Sequence, residues 1–121
     1  NIIDTQRASG GDTLDGIPTV VLINDGSASA SEITAGALHD NKAAYLIGEK
    51  SYGKGVVQQL VSFRDGSQLK VTVASWYRPN GQNINHKGIT PDKVVKISDA
   101  EAKAGTDTQL LAAQAYLKTK Q

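Results

Sequence analysis

Three serines alternate with two alanines in the segment from Ser27 to Ser31, directly after a short apolar run. A serine hydroxyl becomes a nucleophile when a base takes its proton and backbone N–H groups hold the oxyanion that forms. A turn from a strand into a helix supplies such groups, because the first N–H groups of a helix have no intrahelical acceptor. Serine is also a preferred N-cap residue. The pattern alone therefore leaves two roles open, nucleophile and helix cap.

A serine nucleophile needs a base, and the two histidines are the first candidates. His39 lies ten residues beyond Ser29 on the predicted helix. At 1.5 Å per residue it is ~15 Å away along the helix axis, outside hydrogen-bond reach. His86 lies in a predicted loop, and its spacing neither supports nor excludes it. We interpret both as surface or loop histidines.

Lys54 is the alternative base. It stands between two glycines just before a predicted strand, so the backbone around it can turn tightly. A lysine acts as a base only when its amine is neutral, a state that burial against apolar residues such as Val56 favours. Gln58 shares the face of Lys54 if the strand begins at Lys54, because side chains repeat every two residues. A solvated loop lysine fits the same spacing.

The elements that position these residues follow from the hydrophobic periodicity. Residues 17–23 form a nearly continuous β-branched apolar run, typical of a strand buried on both faces. An apolar stripe with helical spacing begins at Ala30 and predicts a helix that ends near Asp40. Asp65-Gly66 lies between two alternating segments and predicts a hairpin. The predicted strands are 17–23, 43–48, 56–63, 68–77 and 94–97, and the predicted helices are 30–40 and one that opens at residue 107. This order indicates an α/β fold.

Composition excludes several function classes. The 121 residues carry 13 basic and 12 acidic groups without a basic cluster, which argues against a nucleic-acid surface. The absence of cysteine excludes disulfides, thiolate catalysis and cysteine-based metal sites, and two distant histidines do not predict a zinc site. No apolar run approaches the ~20 residues that span a bilayer. Because the chain also lacks methionine, even at position 1, we interpret it as a processed chain or a fragment.

Several motifs taken together carry a resemblance. They are Gly-Ser-Ala-Ser-Ala-Ser-Glu-Ile at 26–33, Ala-Gly-Ala-Leu at 35–38, Gly-Glu at 48–49, Tyr-Gly-Lys-Gly-Val-Val-Gln at 52–58, Asp-Gly-Ser at 65–67, Pro-Asn-Gly at 79–81 and Gly-Ile-Thr-Pro-Asp at 88–92. In this combination the chain resembles the carboxyl-terminal processing, or tail-specific, proteases over roughly residues 17–97.

The resemblance implies a serine endopeptidase with a serine–lysine dyad. Ser29, the middle serine, matches the nucleophile, and Lys54 matches the general base. Gln58 matches a glutamine that orients the lysine in several members, and the backbone N–H of Ala30 matches half of the oxyanion hole. Asp40 matches an acidic position that matters in some members, but at ~16 Å from Ser29 along the helix it is assigned a structural role. No metal and no cofactor are implied.

The resemblance also implies a partial crotonase-like or ClpP-like α/β core of stacked ββα units. We expect residues 1–16 to be a flexible connection and residues 17–121 to be the C-terminal part of the protease core. The PDZ domain of the family and the segment whose glycine completes the oxyanion hole are missing, so we expect the chain alone to be inactive. The implied partners are protein or peptide substrates with recognised C-termini, with no nucleic acid, and a homo-oligomer or a missing parent segment that completes the fold. The implied location is the cell envelope, periplasm or another extracytoplasmic site. The alternative is a non-catalytic ligand- or protein-binding domain of the same fold, or an inactive fragment.

Overall fold

The structure, a computed structural model, describes residues 4–5, 7, 9–11 and 13–120. Strands and helices alternate along the first half of the chain, a hairpin follows, and the chain ends in helices. The elements are β1 Val20–Ile23, α1 Ala30–Asp40, β2 Tyr45–Gly48, β3 Val56–Ser62, β4 Gln68–Ser75, β5 Lys93–Val94, α2 Asp99–Lys103 and α3 Thr108–Lys118. The predicted α/β class is therefore confirmed.

The first three elements form the predicted strand–helix–strand unit. β1 and β2 pair in parallel from Val20 with Tyr45 to Ile23 with Gly48, and β5 adds to the other side of β2. β1 therefore lies at the edge of the three-stranded sheet. The prediction that residues 17–23 are a strand buried on both faces is wrong. The strand is shorter, and Leu22 is 37% exposed, because no described strand lies beyond the β1 edge.

Helices α1 and α3 cover opposite faces of this sheet. Ile23, Leu46 and Ile89 form a buried cluster with Ala35 of α1. Tyr45, the neighbour of Leu46 on β2, points to the other face, because successive strand residues alternate. Its ring stacks on Tyr116 of α3 with the ring centroids 4.2 Å apart. The sheet that leads into the serine segment is therefore fixed from both sides.

The hairpin of β3 and β4 forms a separate two-stranded sheet. The two strands are antiparallel, and the Asp65-Gly66 turn closes with a hydrogen bond from the N–H of Gly66 to the carbonyl of Phe63. The predicted hairpin is confirmed. Leu69 and Val73 lie on its apolar face and remain 51% and 54% exposed, respectively. Most residues of the two strands are exposed.

The C-terminal elements differ from prediction in two details. The last strand is Lys93–Val94 rather than residues 94–97, and it pairs with Ile47 and Gly48 of β2. Helix α2 was not predicted, although Ser98 and Glu101 form a capping box at its start. The helix predicted to open at residue 107 is confirmed, with Asp107 accepting a hydrogen bond from the N–H of Leu110 at 2.9 Å.

The flexible connection predicted for residues 1–16 falls partly outside the described residues, and it stays a prediction. None of the helices in the described ranges combines the length and apolarity that a membrane crossing requires.

Gly48 is the position where this packing depends most on the absence of a side chain. Its φ is 128°, and an added Cβ would lie 2.1 Å from the carbonyl oxygen of Ile23. We expect Gly48→Ala to lower the free energy of unfolding by at least ~3 kcal/mol, because it combines steric overlap with a strained backbone. Chemical denaturation measures this loss. Gly11→Ala is the matched control, since nothing lies within 4 Å of its added Cβ. A Gly48→Ala protein as stable as the control would contradict the predicted close approach.

Candidate active site

Ser29 lies at the turn between β1 and α1, where it is the N-cap of α1. Its backbone has φ 52° and ψ −114°, a combination that costs a residue other than glycine about 1–3 kcal/mol. A strained serine between a strand and a helix is the geometry of a nucleophile elbow, which exposes the hydroxyl above the turn. Ser27 has a different task, because its hydroxyl accepts a hydrogen bond from the N–H of Asn24 at 3.1 Å.

Ala30 supplies a backbone N–H at the start of α1. As the first helical residue it has no intrahelical acceptor. The backbone hydrogen bonds of this turn use other donors, namely Ser31 to the carbonyl of Ala28 at 3.2 Å and Ile33 to the carbonyl of Ser29 at 3.0 Å. The N–H of Ala30 therefore belongs to the positive end of the helix, where developing negative charge is stabilised.

Glu32 connects the serine turn to the lysine loop, and the sequence analysis did not identify it. The side chain is 1% exposed. Its Oε2 accepts hydrogen bonds from the backbone N–H of Ser29 at 3.1 Å and of Lys54 at 2.8 Å. Its Oε1 accepts from the Ser51 hydroxyl at 2.5 Å and from the N–H of Gly53 at 2.7 Å. The capping-box spacing from Ser29 to Glu32 was the available signal, but this motif predicts only the bond between Glu32 and the N–H of Ser29.

Lys54 is exposed, so of the two possibilities that its spacing left open the structure shows the solvated lysine rather than one buried against Val56. Its backbone is nevertheless fixed on both sides. The N–H of His86 donates to the carbonyl of Gly53 at 2.8 Å. Next to it, Gly55 lies so close to the following loop that an added Cβ would be 2.3 Å from the backbone nitrogen of Asn85. The chain therefore holds the start of the lysine side chain, while its amine remains accessible from solvent.

Lys54 and Gln58 line one groove, which has a volume of about 950 Å³. β3 begins at Val56, and a bulge separates Val57 from Gln58, so the simple two-residue alternation proposed for Lys54 and Gln58 does not apply. The groove nevertheless contains both side chains, together with His86. The lining residues are Asp25, Gly26, Ala28, Tyr52, Gly53, Lys54, Val56, Gln58, Lys70, Thr72, Asn85 and His86. Ala28 lines this groove, whereas the next residue, Ser29, is not one of its lining residues.

The opposite end of α1 carries a polar network. Asp40 forms an ion pair with Arg78, and its other oxygen accepts from the N–H of Asn80 at 3.2 Å. His39 contacts Arg78 through Nδ1 at 3.0 Å and Asp92 through Nε2 at 2.9 Å. The interpretation of His39 as a surface histidine is wrong, since it is half-buried in this network. These contacts fasten α1 to residues 78–92, which agrees with a structural role for Asp40.

The described ranges contain no group of three or more His, Cys, Asp or Glu side chains placed to hold a metal ion. The candidate reactive groups of the site are the hydroxyl of Ser29, the amine of Lys54 and the backbone donors of the serine turn. The imidazole of His86 is also present in the groove.

Comparison with known proteins identifies similar chains. Residues 2–95 match the sequence model of peptidase family S41. A carboxyl-terminal-processing protease of Synechocystis is 50% identical over 99 residues, which cover 79% of this chain and 23% of that protein. The chloroplastic carboxyl-terminal-processing peptidase 3 of Arabidopsis thaliana is 55% identical over 75 residues, 62% of this chain and 14% of that protein.

A solved structure is similar as well. The photosystem II D1 C-terminal processing protease matches with a TM-score of 0.63 and 47% identity, over 67% of this chain and 21% of that chain. The fold is thus that of part of a protease core. The chain spans less than a quarter of the length of each of these relatives.

Proposed function

This chain belongs to peptidase family S41, and from that premise we propose that it carries the serine–lysine dyad of a serine endopeptidase that processes the C-termini of proteins. The observation that carries the proposal is the shared Glu32 oxygen, to which the backbone N–H groups of Ser29 and Lys54 both donate. The backbones of two residues far apart in sequence are thereby held next to each other. The strained backbone of Ser29 supports its assignment as nucleophile.

In the proposed reaction, the amine of Lys54 removes the hydroxyl proton of Ser29 as the oxygen attacks the scissile carbonyl. The N–H of Ala30 donates to the resulting oxyanion. Lys54 then returns the proton to the leaving amine, which gives an acyl-enzyme on Ser29. A water molecule, deprotonated by Lys54, hydrolyses that ester and restores the serine. Gln58 lines the same groove and is assigned the orientation of the lysine amine.

The exposure of Lys54 gives the substrate a part in this mechanism. A peptide seated in the groove would exclude water from the amine and strengthen the local electrostatic interactions. Catalytic hydrogen bonds often tighten only when substrate binds. We therefore assign the catalytically competent arrangement of Lys54 to the substrate complex.

The remaining parts of the proposal concern the whole protein. Its substrates are proteins with recognised C-termini, and its location is extracytoplasmic, in line with bacterial and chloroplastic relatives. We propose that residues 17–121 form the C-terminal part of a protease core and that these 121 residues alone are inactive. The free edge of β1 among the described strands offers a place for a further strand, from the parent protein or from a second copy.

A fluorophosphonate probe tests this proposal against a non-catalytic binding domain. The probe reacts with activated serines, so we expect the full-length product of the gene to be labelled on Ser29, as mapped by mass spectrometry of its peptides. Ser27→Ala is the control and should label at the rate of the unmodified protein, because the Ser27 hydroxyl is engaged by Asn24. Labelling on Ser27 or Ser31, or no labelling of a folded protein, would contradict the dyad.

A further inference from the structure

The groove that Lys54 lines continues along one face of the β3–β4 hairpin. Register places Gln58 opposite Thr72 and Leu60 opposite Lys70. Residues directly opposite each other in an antiparallel pair share a face, so Gln58, Thr72 and Lys70 project on the same side. All three line the groove, whereas Leu60 on the same face does not, and the other face carries the exposed apolar residues Val61, Leu69, Val71 and Val73 beside Gln59. The hairpin therefore presents a polar wall to whatever occupies the groove.

The charges of this wall are unbalanced. Lys54 and Lys70 line the groove together with the imidazole of His86, and Asp25 is its only carboxylate among the described residues. Within the same described ranges, no ion pair or side-chain hydrogen bond engages Lys70. Its ammonium group is thus available to an incoming carboxylate, unlike that of a lysine neutralised by the protein itself.

Lys70 lies at a distance from the proposed catalytic residues along the hairpin. Lys70 lies opposite Leu60, six residues beyond Lys54 in the chain. At ~3.3 Å per residue this is on the order of 20 Å of extended strand. An extended peptide in the groove has the same rise per residue. The substrate residue that faces Lys70 therefore lies on the order of six residues from the scissile bond.

We propose that Lys70 is a specificity-determining residue that binds a carboxylate of the substrate at this distance from the scissile bond. The inference rests on the proposed function, because that function defines the groove as the substrate site. The carboxylate has two sources, an acidic side chain within the substrate or the free carboxylate at its C-terminus. Both offer the same charged acceptor to the ammonium group.

Peptide substrates distinguish these sources. One series carries Glu or Gln at each position from three to six residues on either side of the scissile bond and ends in an amide. A second series ends at the same distances with either a free carboxylate or an amide. With the full-length protein we expect KM to be about three- to five-fold lower for the carboxylate member of the preferred pair, the size of an exposed ion pair, at unchanged kcat. Added salt should reduce the difference.

Variants of Lys70 decide whether this residue is responsible. Lys70→Gln should abolish the preference, and Lys70→Glu should reverse it toward a peptide with Lys at the same position. Lys118→Gln is the control, because Lys118 lies on α3 outside the groove. A carboxylate preference that survives in Lys70→Gln, or no preference in the unmodified protein, would overturn the assignment.

A separate measurement distinguishes failure of the Lys70 assignment from failure of the proposed function. Binding of the same peptides to the Ser29→Ala variant, measured by fluorescence anisotropy, does not depend on hydrolysis. A preference for carboxylate peptides that disappears with Lys70→Gln supports the subsite even in a protein that cleaves nothing. Equal binding of carboxylate and neutral peptides overturns it, whether or not the dyad is active.

Discussion

We expect Ser29→Ala and Lys54→Arg each to reduce kcat for peptide hydrolysis by the full-length protein on the order of 10⁴-fold or more. We expect the loss in the double variant to be no larger than the loss in either single variant. The reason is that the two groups act as one unit, because the base is effective only with the nucleophile and the nucleophile only with the base. Arginine keeps a positive charge at position 54, but its guanidinium stays protonated and cannot serve as a base. Single-turnover cleavage of a fluorogenic peptide measures all three losses.

The neighbouring residues supply the controls for this prediction. Ser27→Ala and Ser31→Ala should keep most of the activity, because neither hydroxyl is placed at the strained N-cap position. Gln58→Ala should lose less than Lys54→Arg, since it only orients the amine. Equal losses in the three serine variants, with folding intact, would indicate capping rather than nucleophilic attack. Substantial activity in Lys54→Arg would transfer the role of base to His86, which lines the same groove.

Much of the local structure could be predicted because it depends on local signals. The helix from Ala30 to Asp40 was predicted with its observed ends, since its apolar stripe and its flanking polar residues lie in one continuous segment. The Asp65-Gly66 hairpin follows from turn chemistry in the same way. Helix α2 shows the limit of this reasoning. Five residues without an apolar stripe give no periodicity to detect, and only the capping box at Ser98 announced it.

The features that could not be predicted depend on tertiary contacts. The sequence does not show that β1 lies at a sheet edge, because edge position depends on which strands are present. Likewise, the apolar residues after Lys54 left both a desolvated amine and a solvated loop lysine open, and in the fold Val56 and its neighbour are only half-buried and the lysine side chain is exposed. Dyad membership itself came from resemblance. Spacing alone left Lys54 as a loop lysine and Ser29 as a helix cap.

Glu32 illustrates how a local motif acquires a second role through the fold. Its bond to the N–H of Ser29 is the expected half of a capping box. Its bonds to Gly53 and Lys54 cross from α1 to a segment more than twenty residues later in the chain. A buried carboxylate is stable only when its oxygens are well supplied with donors, and here the donors are the backbones that carry both proposed catalytic side chains. The same bonds help to hold Ser29 at its strained φ.

Glu32→Gln is therefore expected to impair catalysis more than the small change in the side chain suggests. One carboxylate oxygen becomes an amide NH₂, which cannot accept, so it meets N–H donors with another donor. Leaving two buried donors unpaired costs about 1–3 kcal/mol each, which a chemical denaturation curve records. A displacement of about 1 Å between Ser29 and Lys54 lowers kcat on the order of 100-fold. We expect both effects, with KM little changed, because Glu32 does not line the substrate groove.

Two controls separate positioning from loss of stability in Glu32→Gln. Glu49→Gln makes the same chemical change at a residue without a described side-chain hydrogen bond and should leave both kcat and stability intact. Ser51→Ala removes one donor to Glu32 and the acceptor for the N–H of Ile89, but it leaves the bonds to Ser29 and Lys54 in place. It should lower stability and largely spare kcat at temperatures where the protein is folded. If Glu32→Gln behaves like Ser51→Ala, losing stability while kcat and the rate of fluorophosphonate labelling remain unchanged, Glu32 supports the fold only and does not set the geometry of the dyad.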